Sequence, residues 1–305
     1  MGMKELYQLG GQRGFVTRSD VTAEEIRQDA FTKQAHRLGW ARNHRGQWIP
    51  PGVELDDRTQ IDAAVEVVGK PVLVTGLSAL LLDGIVPKPG TAVELVMPGG
   101  RHVMPREGVC IHRTTTFDTI RFHHRGEFAV AACERALADA AEHVGLNDLC
   151  QHIATCVRLR VMPLKAIGTE LAARRRFPGR ARLRTAYGLV TGKLVHSGSE
   201  RLARRRLQGC EPAPHRRPLT VEESGRLLAE IDIAWPDLFY GVEIDGPHHL
   251  LADVAAADRI RDRQLEGIGW KIDRFFWFEV EDRADWFVAE VTRGLVARRK
   301  THGPN

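Results

Sequence analysis

Apolar and polar positions alternate most regularly in the last third of the chain. Two segments have a period of two residues and end at turn signals, Pro236-Asp237 and Gly246-Pro247, which predicts a pair of strands. The elements predicted in this part are a helix over 197–208, strands over 227–235 and 239–245, a helix over 255–268, a strand over 270–276 and a helix over 285–299. Their order predicts an α/β domain over residues 192–300, with a mixed sheet flanked by helices.

The first fifty residues have the pattern of short helices followed by a hairpin. The predicted elements are a weak helix over 6–12, a clearer amphipathic helix over 24–38 and a basic hairpin over 39–51. Thr17 and Thr22 each precede an acidic residue by three positions, which is the spacing of a helix-capping box. Together these elements predict a winged helix-turn-helix DNA-binding domain over residues 1–52.

The pattern of residues 60–190, the middle of the chain, predicts an α+β region with no obvious catalytic or metal-binding motif. Strands are expected over 92–97 and 109–113, and helices over 130–143 and 146–157. The histidines of this region have no carboxylates at metal-ligand spacing, so we expect them to be ordinary core or surface residues.

Composition narrows the class of protein. The chain has 305 residues, 43% hydrophobic and 27% charged, which is ordinary for a globular protein of two or three domains. It has no run of eighteen apolar residues and no secretory signal at its start, so we expect no membrane partner. Its five cysteines include no Cys-x-x-Cys pair, which favours a reduced, cytoplasmic protein over a disulfide framework.

Positive charge is concentrated between residues 174 and 206, where eleven Lys and Arg residues, among them Lys193, accompany the single acid Glu200. Such a block supplies the phosphate contacts that dominate non-specific DNA binding. A solvated helix face is the alternative interpretation. On the first interpretation we expect Arg204 and Arg205 to contact DNA.

Three acids lie on the two predicted C-terminal strands. Asp232 and Glu243 are separated by one hairpin turn, and Asp245 lies two residues after Glu243, on the same face of a regular strand. Converging carboxylates repel one another unless a cation neutralises them, and oxygen ligands favour Mg²⁺ or Mn²⁺. Such a cation activates water and stabilises charge on a phosphate oxygen. Each acid alone is more often an exposed residue with a surface partner.

Four motifs follow one another along this region. They are Ile231-Asp-Ile-Ala-Trp-Pro236, Val242-Glu-Ile-Asp-Gly-Pro-His-His249, Asp258-Arg-Ile-Arg-Asp-Arg-Gln-Leu265 and Gly269-Trp-Lys-Ile-Asp-Arg274. Together they resemble the domain related to very-short-patch repair (Vsr) endonucleases, in the PD-(D/E)xK restriction-endonuclease-like superfamily. The resemblance implies Asp232 and Glu243 as metal ligands and a catalytic set completed by Glu200, Asp245 and His249. It also implies roles for the downstream residues Arg261, which we expect at the DNA, Asp262 and Arg274.

One departure from the superfamily pattern concerns the attacking water. Asp245 stands where most members have a lysine, so the usual cation beside the water is missing. A neutral imidazole accepts a proton near pH 7, and His248 or His249 is the expected substitute.

The front of the chain contains Gln12-Arg-Gly-Phe-Val-Thr-Arg-Ser19, followed by the basic hairpin and the middle region. In pattern and order these resemble abortive-infection antitoxins of the AbiEi type, from type IV toxin–antitoxin systems. It implies a DNA-binding repressor with a cognate toxin as partner. The DNA-binding residues expected here are Arg27, Lys33 and Arg37 on the helix over 24–38, and Arg42 and Arg45 on the hairpin. The alternative is a helix packed within its own domain.

Two functions follow as hypotheses. The first is a Mg²⁺-dependent DNA endonuclease acting in repair or phage defence. The second is an antitoxin-type transcriptional repressor whose nuclease-like domain is inactive. The presence of both Asp232 and Glu243 favours the endonuclease.

Overall fold

A computed structural model describes residues 2–88, 90–104, 107–192, 198–223 and 226–302. The chain folds into two compact α/β units, Met1–Val144 with Lys165–Arg180, and Gly145–Leu164 with Ala181–Asn305. The expected middle region 60–190 is therefore divided, because residues 145–164 and 181–190 pack with the C-terminal part of the chain. Lys193 lies outside the described residues.

The helices and strands of the described residues are as follows. The helices are α1 Met3–Arg13, α2 Arg18–Ala23, α3 Gln28–Arg37, α4 Asp57–Val68, α5 Gly76–Leu82, α6 Cys133–Ala140, α7 Leu146–Arg158, α8 Lys165–Ala173, α9 Arg180–Val190, α10 Ser199–Arg206, α11 Ala252–Gly267, α12 Trp277–Asp282 and α13 Ala284–His302. The strands are β1 Val16–Thr17, β2 Ala41–Arg42, β3 Gln47–Ile49, β4 Leu73–Val74, β5 Val93–Pro98, β6 Val109–Thr114, β7 Phe122–Arg125, β8 Phe128–Ala131, β9 Leu219–Glu223, β10 Arg226–Ile231, β11 Ile233–Trp235, β12 Tyr240–Asp245 and β13 Lys271–Phe276. None of the described helices combines the length and hydropathy needed to cross a membrane.

The first unit begins with three helices and a small antiparallel sheet of order β1-β3-β2, the element order of a winged helix. The capping box at Thr17 is confirmed, since its hydroxyl and the Asp20 carboxylate bond each other's backbone N–H groups. The one expected at Thr22 is wrong. The chain turns between α2 and α3 with Glu25 at φ 56°, so α3 begins only at Gln28.

A five-stranded mixed sheet of order β6-β5-β4-β8-β7 forms the rest of the first unit. The strands expected over 92–97 and 109–113 are confirmed as β5 and β6. The helix expected over 130–143 begins only at Cys133, because residues 128–131 pair with β7 and form β8.

Buried ionic residues cross-link this sheet to its helices. The Glu94 carboxylate accepts the Leu77 N–H at 2.8 Å and lies 3.1 Å from His112 Nε2. Asp139 accepts hydrogen bonds from Thr75 and Arg135, both at 2.8 Å. Burial favours the neutral imidazole, but bonding to Cys110 and Glu94 outweighs it and raises the pKa of His112 to about 10.

The second unit contains a central sheet of order β11-β12-β13, in which β12 is antiparallel to β11 and parallel to β13. Helix α11 makes the crossover between the two parallel strands. The predicted order of helix, hairpin, helix, strand and helix is confirmed. The strand β9 and the helix α12 were not anticipated.

The strand expected over 227–235 is interrupted at Asp232. Ile231 ends β10 and pairs with Leu219 of β9, whereas Ile233 begins β11 and pairs with Val242 of β12. Asp232 therefore lies at the bend where the chain passes from one sheet to another, and not within a strand. The bend frees its side chain to turn toward the end of β12.

Strand alternation divides the core of this unit into two layers. Val242 and Ile244 face a cluster that includes Phe287 and Val291 of α13. Ile231 packs on the other side in a cluster that includes Leu265 of α11. Residues 243 and 245 alternate with the first pair, so the pleat directs them to the α11 side of the sheet.

Candidate functional site

The candidate site lies at the carboxyl end of β12, where the parallel neighbour β13 supplies a counter-charge. Glu243 is directly opposite Arg274 in the register of the two strands. Glu243 and Asp245 are 6% and 7% exposed, so both carboxylates have lost most of their contact with water. Buried carboxylates require compensating charge or hydrogen bonds, and arginines provide them here.

Arg274 makes close ion pairs with three acids. Its Nη2 lies 2.8 Å from Glu243 Oε2 and its Nη1 lies 2.8 Å from Asp245 Oδ1. Two further hydrogen bonds of 2.9 Å join the guanidinium to the two carboxylate oxygens of Asp262. Burial disfavours the cation, but these acids outweigh it and raise the pKa of Arg274 above its usual range. Glu243 and Asp245 share one guanidinium, which confirms that they lie on one face.

Helix α11 contributes a second arginine and a buried acid. Arg261 Nη2 lies 2.9 Å from Glu243 Oε2 and 3.0 Å from Asp258 Oδ1. Asp258, Arg261 and Asp262 are separated by three and four residues, so one helix face carries them toward the sheet. Asp258 is 8% exposed and was missed as a site residue. Its helical spacing from Arg261 and Asp262 is the signal that identifies it.

Asp232 reaches the site from the bend between β10 and β11. Its Oδ2 accepts the Ile244 N–H at 2.8 Å, which holds the carboxylate beside the end of β12. Burial raises the pKa of Asp232, the Ile244 N–H opposes the shift, and the negative charge of Glu200 adds to it.

Glu243 is the most strongly perturbed acid of the site. Burial raises its pKa to about 7, although the positive charges of Arg274 and Arg261 oppose the shift. Both arginines bond the same oxygen, Oε2. The other oxygen, Oε1, is buried and has no hydrogen-bond partner among the described residues. A buried acceptor without a partner is costly, so this atom is a candidate for ligand binding.

Two histidines follow β12 in the 3₁₀ turn Pro247–Leu250. His249 Nδ1 lies 2.7 Å from Asp258 Oδ2 and 3.8 Å from Asp245 Oδ1. Burial, with the charge of His249 adding to it, lowers the pKa of His248. Burial also raises the pKa of Asp245, against the opposing charges of Arg274 and His249.

These groups surround a cleft of about 230 Å³. Asp232, Glu243, Asp245, His248, His249 and Arg261 line it, together with the exposed Glu200 at the start of α10. Three further lining residues were not singled out from the sequence: Ser199, Glu230 and Trp277. Arg274 pairs with the lining acids Glu243 and Asp245, and Asp262 in turn bonds Arg274.

The cleft offers carboxylate oxygens, the donor type that a divalent cation such as Mg²⁺ takes. The described residues contain no group of three or more His, Cys, Asp or Glu side chains arranged to hold a metal ion. Mg²⁺ commonly takes only one or two protein carboxylates and completes its octahedron with water and phosphate oxygens. The carboxylate of Asp232 and the unpartnered Oε1 of Glu243 are hard oxygen donors of this kind.

The residues expected to bind DNA differ in how far their charges are already used. Arg204 donates to the backbone carbonyls of His215 and Asp232, and Arg261 neutralises Glu243 and Asp258, so both act within the protein. Arg27 is exposed but paired with Asp29. Arg42 is exposed, with its guanidinium over the Trp48 ring at 4.7 Å from the ring centre. The exposed remainder consists of Lys33, Arg37, Arg45 and Arg205.

The basic block of residues 174–206 is divided between the two units. Arg174 pairs with Asp139 and Glu170, and Arg180 donates to the carbonyls of Arg174 and Leu171, all inside the first unit. Helix α10 at the other end of the block belongs to the second unit.

No protein-family model and no curated protein matches the chain. Among solved structures, the crystal structure of the RV2827C protein from Mycobacterium tuberculosis is similar at a TM-score of 0.44 and 15% identity, covering 60% of this chain and 75% of that one. At this level the likeness carries no functional argument.

Proposed function

We propose that the second unit is a Mg²⁺-dependent endonuclease domain acting on DNA. The observation that carries the proposal concerns Glu243, which lines one cleft together with Asp232 and whose Oε1 is buried without a hydrogen-bond partner among the described residues. Two carboxylates with pKa values raised by burial are costly to a fold unless a ligand uses them. The sequence resemblance to Vsr-like nucleases points to the same two residues.

Asp232 and Glu243 would hold the cation, Mg²⁺ or Mn²⁺. When bound, it would stabilise the negative charge that develops on a phosphate oxygen and favour ionisation of the attacking water. Arg274 and Arg261 bind Oε2 of Glu243 and so hold the rotamer in which Oε1 has no partner among the described residues. Arg274 also places a positive charge against Asp245, which occupies the position of the usual lysine.

His249 is the group that we assign to proton transfer. Its Nδ1 bonds Asp258, which orients the ring and stabilises it when the ring accepts a proton at Nε2. The neighbouring His248 has a lowered pKa and stays neutral near pH 7. Glu200, exposed at the rim, adds negative charge beside Asp232.

The test is a cleavage assay on supercoiled, linear, mismatched and single-stranded DNA, with Mg²⁺ or with EDTA. Asp232→Asn and Glu243→Gln are the active-site variants, and Glu222→Gln, an exposed acid on β9, is the matched control. We expect Mg²⁺-dependent cleavage by the unchanged protein and by the control only. Cleavage that persists in both active-site variants would show that this cleft is not the source of the activity.

A second candidate is a transcriptional repressor of the antitoxin type, with a cognate toxin as partner. It is favoured by the winged-helix element order and the exposed Lys33, Arg37, Arg42 and Arg45 in the first unit. The two arginines bound to Glu243 are also compatible with an inactive nuclease-like domain. Footprinting on DNA upstream of the protein's own gene tests this candidate, and a protected site that survives Glu243→Gln would support it.

A further inference from the structure

A segment that the sequence did not single out runs beside the candidate cleft. Residues 212–217 follow α10 and are fastened to β11, the edge strand of the central sheet. Trp235 Nε1 donates to the Pro212 carbonyl at 2.7 Å, and the His215 N–H donates to the Ala234 carbonyl at 2.7 Å. The segment therefore follows β11 from its Trp235 end toward its Asp232 end.

Arg204 of α10 ties this segment to the cleft. Its Nη1 donates to the His215 carbonyl at 2.9 Å and its Nη2 donates to the carbonyl of Asp232. One guanidinium bonds both carbonyls, so it links the backbone at His215 to the backbone of a candidate metal ligand. Arg204 is thus a tether rather than a free cation.

The two residues after His215 are both arginines with exposed side chains, Arg216 and Arg217. The Arg217 carbonyl is 2.9 Å from His215 Nδ1, which shapes the backbone locally. Shortly after Arg217, Leu219 pairs with Ile231, the neighbour of Asp232. Arg216 and Arg217 are therefore held at the Asp232 end of the sheet from both sides.

Helix α10 adds exposed charge next to the same segment. Arg201 and Arg205 are four residues apart and share a helix face, and Arg206 follows them. We call five exposed arginines the basic surface: Arg201, Arg205, Arg206, Arg216 and Arg217. None of the five forms an ion pair with another of the described residues.

We propose that the basic surface binds the sugar-phosphate backbone of a nucleic-acid strand and leads it to the cleft. Unpaired arginines on a tethered backbone are suited to phosphate oxygens, because a guanidinium binds them with paired N–H donors. Phosphate contacts carry no sequence information, so the surface positions a strand without selecting its bases. The proposal rests on the nuclease function proposed above, and it names the part of the substrate that the protein holds.

Binding is measured by fluorescence anisotropy in EDTA, so that cleavage plays no part. The full-length chain carries Lys33→Gln and Arg37→Gln throughout, which reduces binding by the first unit. In this background Arg216→Gln/Arg217→Gln is compared with Arg299→Gln/Lys300→Gln, a control with the same change of charge. Those control residues are exposed on α13, whose Arg298 bonds the Leu238 and Phe239 carbonyls at the opposite end of β12.

We expect Arg216→Gln/Arg217→Gln to weaken binding about tenfold at low salt. The slope of log K against log salt should become shallower by about 2, since each lost phosphate contact removes about one unit. The loss should be equal for two duplexes of unrelated sequence, and a single-stranded probe shows whether one strand suffices. Thermal melting confirms that each variant is folded.

Equal losses in the two double variants would overturn the proposal, and so would failure of the background protein to bind any probe. The outcome is separable from that of the nuclease proposal. A protein that binds through the basic surface but never cleaves with Mg²⁺ would keep this inference and refute the endonuclease. Cleavage with unchanged KM and unchanged binding in Arg216→Gln/Arg217→Gln would support the endonuclease and refute this inference.

Discussion

Each unit contains a buried cluster of charged residues. The two clusters differ in whether all of their buried polar atoms have hydrogen-bond partners. In the first unit both Glu94 oxygens have partners, Leu77 N–H and His112, and Asp139 is bonded by Thr75, Arg135 and Arg174. In the second unit the cluster around Arg274 leaves Glu243 Oε1 and Arg261 Nε buried without partners among the described residues.

The difference indicates what each cluster is for. A fully bonded buried network fixes the packing of the elements that it joins, and breaking it leaves an isolated charge. A network with an open acceptor costs stability in the free protein, and that cost is offset when a ligand binds. We interpret the first cluster as structural and the second as the functional one.

The largest expected effect concerns the cluster in the second unit, which we interpret as functional. Asp232→Asn or Glu243→Gln should reduce Mg²⁺-dependent DNA cleavage at least about 1000-fold, since each removes charge that stabilises the transition state. Glu94→Gln, in the first cluster, should leave the rate per folded molecule unchanged. Initial rates normalised to the folded fraction check both expectations. A similar rate loss in Glu94→Gln would contradict the interpretation of the first cluster as structural and the second as functional.

The next largest effect concerns the cluster in the first unit, which we interpret as structural. Asp139→Ala removes the partner of Arg135, which is 5% exposed, and should destabilise the first unit by about 3–5 kcal/mol. Asp118→Ala, at an exposed acid of the same unit, should change stability by less than about 0.5 kcal/mol. Urea unfolding measures both. If the two changes are equal, the first cluster does not hold its elements together.

Stability should also depend on pH through the open cluster. The folded-state pKa of Glu243 is raised to about 7, so folded protein binds a proton that unfolded protein has released above pH 4.5. Stability is therefore greatest below pH 4.5 for this group and falls as pH rises to about 7, by roughly 3 kcal/mol at most. Melting temperatures from pH 5 to 8 without metal should fall by several degrees.

Glu243→Gln is the matching variant for this dependence. It cannot ionise, so its melting temperature should fall less over the same range. Mg²⁺ should raise the melting temperature of the unchanged protein at pH 8 and have little effect on the variant. Parallel pH curves for the two proteins would assign the dependence to other groups.

The smallest expected effect applies the same comparison of paired and unpaired charges to the winged helix. Arg37 is exposed with no recorded ion pair among the described residues, whereas Arg27 is paired with Asp29. Arg37→Gln should lower the salt slope of duplex binding by about 1, and Arg27→Gln by less than about half of that. Anisotropy titrations at several salt concentrations measure the slopes. Equal effects would mean that the Asp29 pair does not limit Arg27.

Much of the second unit was predictable because its signals are local. The alternation over 239–245 and the turn at Gly246-Pro247 predicted β12, and a spacing of two placed Glu243 and Asp245 on one face. The bend at Asp232 was not predictable in this way. It arises because β10 and β11 pair with different partners, Leu219 and Val242, which are distant in sequence from one another.

The sequence by itself determined the α/β class, the order of the main elements of the second unit and the acids Asp232, Glu243 and Asp245, because periodicity and turn residues act over a few positions. Only the tertiary structure decided which charged groups pair with one another. The parallel register that sets Arg274 opposite Glu243, the helix face that brings Arg261 and Asp258, and the carbonyls that engage Arg204 all depend on residues far apart in the chain. Charge pairing depends on distances of a few ångströms, and such distances are set by packing rather than by local pattern.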